Sequence, residues 1–190
     1  RHRFIAQREC KAVHHLLTGI PHKTIVDVPT GTGKMAEIFA SLGSAVTACD
    51  VSPNMLSIAR QSFEKANCKV ESFRIVDLEK ASDVLTEKAD VLVCIRLMHR
   101  VPDEVKLRML EQISRLAPHA VVSFGVTNPW QRLRLWLSRT FLGAVGEGRK
   151  THATMTNTVA LIEKYFDIRE RVPVARMLSG EWVFLLTPRR

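Results

Sequence analysis

Residues 25–33 read Ile25-Val26-Asp27-Val28-Pro29-Thr30-Gly31-Thr32-Gly33. An apolar, β-branched run that meets two glycines within a few residues is a buried strand ending in a tight turn. Outward from that turn the pattern repeats. Residues 24–28 predict the first strand, 35–42 a helix closed by Gly43, and 45–49 a second strand that ends on Asp50. Ser52 is placed to cap the next helix, with Pro53 at its favoured first position and the helix running to Ala66. Strands follow at 70–76, 89–95 and 120–124, separated by an amphipathic helix over 102–116 with Val105, Met109, Leu110, Ile113 and Leu116 on one side. Upstream, Phe4, Ile5, Ala12, Val13, Leu16 and Leu17 recur at helical spacing until Gly19 and Pro21. Short apolar strands alternating with helices predict a parallel sheet covered on both faces.

The last third changes character. Residues 129–142 read as a helix carrying Arg132, Arg134 and Arg139, and 143–151 as a glycine-rich basic loop. A helix is expected over 154–165. Two final strands, 168–174 and 182–187, are joined through Ser179-Gly180 and suit an antiparallel hairpin.

Bulk composition sets outer bounds. A chain of 190 residues, 46% hydrophobic and 25% charged, is ordinary for one globular domain. Lys and Arg exceed Asp and Glu, 28 against 19, for a formal charge of +9. Such a balance suits an anionic partner or merely a solvated basic surface. Cys10, Cys49, Cys68 and Cys94 form no CxxC pair. Neither a disulfide framework nor a metal site is expected, and a reducing, cytoplasmic setting is. No stretch approaches the ~20 apolar residues of a membrane span. The sequence opens on Arg1 rather than Met and reads as a trimmed piece.

Three nucleotide-type readings compete for the glycine turn. Pro29-Thr30-Gly31-Thr32-Gly33-Lys34 looks like a phosphate-binding P-loop, whose Lys must be followed by a Ser or Thr that holds magnesium. Met35 stands there, and a thioether is no ligand for a hard cation. The fourth strand ends in Ile95-Arg96, without the acidic pair of an ATPase metal site. A nicotinamide dinucleotide site would want a third glycine at position 36, which is Ala36. In the third reading, Asp50 lies 23 positions beyond Asp27 at the end of the second strand, where a carboxylate accepts bonds from the ribose hydroxyls of a nucleoside.

The third reading carries a family resemblance. Asp27-x-Pro29-x-Gly31-x-Gly33 resembles the first motif of class I S-adenosylmethionine-dependent methyltransferases, departing from it at Pro29, and Asp50-Val51-Ser52-Pro53-Asn54-Met55-Leu56 is similar to the stretch in menaquinone/ubiquinone-biosynthesis-type and small-molecule members. Val76-Asp77-Leu78 and the run from Ala89-Asp90 to Leu97-Met98-His99-Arg100 resemble the third and fourth motifs. The resemblance covers 24–124 and implies a doubly wound, Rossmann-like α/β fold, seven-stranded and mostly parallel, with an antiparallel C-terminal hairpin. It implies one domain over 1–190, in which helix 1–23 precedes the cofactor core 24–124, and substrate-side helices and the hairpin fill 125–190.

The implied cofactor is S-adenosyl-L-methionine, leaving S-adenosyl-L-homocysteine as product. Asp27, Pro29, Thr30, Gly31, Thr32 and Gly33 would pass beneath its methionine portion, with Asp50, Val51 and Met55 at the ribose. Asp77 would face the adenine amino group with Leu78 packed on the ring, and Ile95 and Arg96 would line the sulfonium side. No metal enters. His99 is the candidate general base, its imidazole suited to proton transfer near neutral pH.

The chain lacks an Asn/Asp-Pro-Pro-aromatic motif, which argues against methylation of exocyclic base amines. In 130–142, Leu133, Trp136, Leu137 and Phe141 share a helical face flanked by Arg132 and Arg139. Such a helix packs on the sheet, or guards a site for a small or amphiphilic substrate, with peripheral membrane contact open to it. Arg149 and Lys150 extend the positive surface, so an RNA substrate stays open as the less supported alternative.

Overall fold

The computed structural model describes residues 2–127, 153–175 and 178–189. Seven strands form one sheet: β1 (Thr24–Asp27), β2 (Ala45–Asp50), β3 (Val70–Ile75), β4 (Val91–Cys94), β5 (His119–Gly125), β6 (Phe166–Pro173) and β7 (Glu181–Pro188), in the order β3-β2-β1-β4-β5-β7-β6. The first five run parallel, and β7 inserts antiparallel between β5 and β6. The expected α/β architecture, mostly parallel with an antiparallel hairpin at its end, is the one observed.

The strands are short and buried because helices cover both faces. On one face lie α1 (His2–Thr18), α2 (Ala36–Ser41) and α3 (Pro53–Lys65); they bury Val13, Leu16, Leu17, Phe39 and Phe63 against Ile25, Val46, Val91 and Val121. The other face meets α4 (Ala81–Val84), α5 (Asp103–Leu116) and α6 (Met155–Ile162), with Leu110, Ile113 and Ile162 packed on Leu92, Val122 and Phe184. Each large apolar side chain removed from water stabilises the fold by ~1.5–3 kcal/mol.

Local chemistry sets the helix starts. The Ser52 hydroxyl accepts the Met55 N–H at 3.3 Å with Pro53 at the first position, and Thr154 caps α6 through the Asn157 N–H at 3.2 Å. Asp103 and Glu104 in the first turn of α5 and Arg115 in its last complement the helix dipole. Boundaries fall within two residues of those expected at most ends. The strand expected at 89–95 shortens to β4, and the single turn α4 has no apolar periodicity to betray it.

Strand order matters more than boundaries for function. From β1 the chain winds outward through β2 and β3, then returns to place β4 on the other side of β1. The C-terminal ends of β1 and β4 therefore flank a crevice at the point where the winding reverses, the place where open α/β sheets take ligands.

Candidate functional site

The glycine turn opens onto that crevice. The Val28 N–H donates to the Val93 carbonyl at 2.9 Å and the Thr30 N–H to the Cys49 carbonyl at 2.7 Å, so the turn is laced to both neighbouring strands. The Val28–Pro29 peptide is cis. The Thr30 hydroxyl lies 2.9 Å from both the backbone oxygen and Oδ2 of Asp27 and accepts the Cys49 N–H at 3.2 Å.

The two glycines serve different ends. Gly31 has φ +56 and open space where a Cβ would be, so it needs its backbone conformation and leaves the crevice free. Gly33 has φ +76, and a Cβ there would lie 2.9 Å from Ser62 Cβ and 3.1 Å from Ala59 Cα. Its missing side chain admits α3, whose Ser62 hydroxyl donates to the Thr32 carbonyl at 2.8 Å. The side chain that Gly33 lacks is therefore excluded by helix packing.

Asp50 ends β2 with 5% of its surface exposed. Its Oδ2 accepts the Gly31 N–H at 2.8 Å and its Oδ1 the Ser52 N–H at 2.9 Å, and each oxygen keeps a lone pair for a further donor. Asp27 is buried beside it, and desolvation pushes its carboxyl up to about 7, against the lowering bond of Thr30 and with a smaller push from Asp50.

A cavity of about 370 Å³ lies over these groups. Of the residues singled out from sequence, Asp27, Pro29, Thr30, Gly31, Thr32, Asp50, Met55, Ile95 and Arg96 line it. Gly33 faces α3, and Val51 is 61% exposed. Asp77 is exposed and accepts the Glu79 N–H at 3.0 Å, while Leu78 points into the core. His99 sits half-buried in the short 3-10 turn Met98–Arg100 and does not line the cavity, although Leu97 and Arg100 on either side of it do.

Sequence reasoning missed Glu9. It reaches the cavity from α1, is 1% exposed and binds Arg96 twice, with Oε2 2.6 Å from Nη2 and Oε1 accepting from Nε at 2.9 Å. Arg96 adopts φ +63, rare for a residue with a side chain, and its N–H donates to Ser123 Oγ at 2.7 Å. A charged residue on the apolar stripe Glu9-Ala12-Val13-Leu16 was the available signal, since such a charge needs a buried partner.

The segment 130–142, with Arg149 and Lys150, lies outside the described residues. Among the described residues no helix is long and apolar enough to cross a membrane, and no group of His, Cys, Asp and Glu is placed to hold a metal.

Residues 25–118 match the sequence family described as a methyltransferase domain. The chain carries a class I methyltransferase domain. Ubiquinone biosynthesis O-methyltransferases are similar to it: that of Hydrogenovibrio crunogenus is 27% identical over 136 residues, 70% of this chain and 56% of that protein, and that of Alkalilimnicola ehrlichii is 26% identical over 148 residues, 72% and 60%. The chain spans about half the length of the curated relatives it matches. The fold of this methyltransferase domain is also that of the magnesium protoporphyrin IX methyltransferase of Synechocystis PCC 6803, with TM-score 0.78, 17% identity, and 96% of this chain and 84% of that one covered. Crystal structures of that enzyme hold bound SAH or SAM. A protein of Pyrococcus horikoshii OT3 superposes with TM-score 0.73 at 15% identity, covering 96% and 91%. S-adenosyl-L-methionine is the cofactor of this domain class.

Proposed function

We propose that the chain binds S-adenosyl-L-methionine in the cavity at the ends of β1 and β4 and methylates a small or lipid-like molecule. The observation that carries this reading is Asp50, buried at the end of β2, bonded to Gly31 and still able to accept. The cavity fits the group. It offers a carboxylate for ribose hydroxyls, the open space at Gly31, and the apolar side chains of Met55, Ile95 and Leu97 around it. Asp77, one residue beyond the Val76 N–H that donates to the Asp50 carbonyl, is our acceptor for the adenine amino group.

When bound, the cofactor supplies an electrophilic methyl group on a positive sulfur. The protein's own share is to hold the two reactants in line and keep water out. Thr30 and Asp50 fix the turn, Met35 and Ile95 present apolar walls, and Glu9 fixes the guanidinium of Arg96 at the rim. His99, between two residues that line the cavity, is our candidate to take the acceptor's proton. Relatives named for ubiquinone biosynthesis support an oxygen acceptor on a lipid-like molecule.

Calorimetry with S-adenosylhomocysteine and, separately, with ATP and magnesium tests the reading. Binding of the first and none of the second is expected. The reverse pattern would restore the P-loop reading and overturn this one.

A further inference from the structure

The Glu9–Arg96 pair has a third member. Glu181, the first residue of β7, lies against the Glu9 carboxylate and the Ser123 hydroxyl. Its Oε1 is buried with no hydrogen-bond donor. Ser123 Oγ accepts the Arg96 N–H, which leaves the hydroxyl hydrogen for Glu181. Two carboxyls thus lie beside one guanidinium, which pairs with Glu9, where α1, β5 and β7 meet. With both ionised the cluster is net negative; with one proton between them it is neutral. Two carboxyls in contact away from water cannot both ionise cheaply. Burial, followed by the Glu9 carboxylate, pushes Glu181 up to about 8.

We propose that the Glu9–Glu181 pair is a proton store for the adjoining cavity, holding one proton while the cavity is electrically neutral and releasing it when a cation enters. Glu9 and Arg96 line the cavity and Glu181 lies against Glu9, so a charge placed there acts on the pair through a medium of low dielectric. The inference rests on this cavity being the S-adenosylmethionine site. The sulfonium is positive and the thioether of S-adenosylhomocysteine is neutral, so the two ligands differ by one charge at sulfur. As an acceptor hydroxyl gains its O–CH3 bond and the S–CH3 bond breaks, that positive charge disappears and the hydroxyl proton must leave. The pair regains its proton affinity in the same event and takes up, through water, the proton that His99 first accepts.

Among the described residues, the other groups facing the cluster or sharing its cavity are Cys10 from α1, Asp27 and Lys34 from the glycine turn, Asp50 from β2, and Arg100. Asp27 is the rival store, since it too is held up to about 7.

Calorimetry of the intact chain at pH 7, in buffers of different ionisation enthalpy, counts protons released on binding each ligand. S-adenosylmethionine is expected to release more than S-adenosylhomocysteine, by a sizeable fraction of a proton. That difference should persist in Asp27→Asn and vanish in both Glu181→Gln and Glu9→Gln, which preserve side-chain shape. Equal counts in the wild type overturn the proposal whatever the variants do. A difference kept in Glu181→Gln overturns it, and one lost in Asp27→Asn alone assigns the store to Asp27. Absence of binding by either ligand overturns the cofactor reading as well, whereas binding with equal counts overturns this inference only.

Discussion

The Gly31 N–H donates to Asp50 Oδ2 across 2.8 Å, so the carboxylate that ends β2 also fixes the turn that follows β1. One side chain thereby shapes the floor of the cavity and presents its own lone pairs to whatever lies on it. The second oxygen, held by the Ser52 N–H, ties the same group to the start of α3.

Asp50→Ala removes both bonds and the proposed ribose acceptor. Affinity for S-adenosylhomocysteine should fall by ~1.5–3 kcal/mol, the scale of charge-assisted hydrogen bonds, or about 10- to 150-fold in Kd. Asp50→Asn keeps one acceptor oxygen and should lose less. Unchanged affinity in the alanine variant would remove Asp50 from the site.

The glycines should separate in thermal denaturation. Gly31→Ala meets open space and carries only the left-handed backbone penalty, ~1–2 kcal/mol. Gly33→Ala carries the same penalty and also drives a Cβ into Ser62 and Ala59, adding overpacking of ~1–3 kcal/mol. Equal losses of Tm would show that α3 yields freely at Ser62.

Stability should decline with rising pH across the neutral range. Asp27 is raised from 3.8 to about 7 and Glu181 from 4.5 to about 8, so the folded state holds protons that the unfolded chain has released. Their contribution is complete below about pH 4 and is lost as pH rises through about 7 to 8. Urea unfolding at pH 5.5 and pH 8.5, values that bracket most of this window, should show the loss in the wild type and a smaller one in Asp27→Asn. A wild-type stability that rises over the same interval would contradict the burial of these carboxyls.

The thiols should be slow nucleophiles in the native protein. Burial pushes Cys49 up to about 12, Cys68 up to about 11 and Cys94 higher still, and it raises Cys10 as well. Native labelling by iodoacetamide near pH 8 should lag far behind labelling in urea, with Cys49 and Cys94 last. Prompt reaction of Cys94 would mean that β4 opens readily.

How far the sequence speaks depends on the range of the interaction. The strand before the glycine turn, the Ser52 cap and the acidic end of β2 are local features, and each declares itself within a few residues. Asp50 was legible because its spacing from the turn follows from the length of one strand–helix–strand unit. Glu9 was not, because its partner Arg96 lies 87 positions away and only the three-dimensional fold brings α1 over β4. Gly33 was legible as a glycine, but its packing against α3 was not, since that obstruction comes from a helix 26 or more positions away. Leu78 keeps the apolar character a ring contact would want, yet the turn after β3 aims it inward.

The reach of α1 has a consequence for how the cavity comes into being. Glu9 pairs with Arg96 and meets Glu181, and His15 reaches Glu170 on β6 across 155 positions at 2.7 Å. The wall of the cavity is therefore assembled from segments far apart along the chain, and contacts of such high order form late in folding. A ligand seated there would restrain amide exchange in α1 and β7 together rather than in the glycine turn alone, because it would stabilise the assembled chain as a whole.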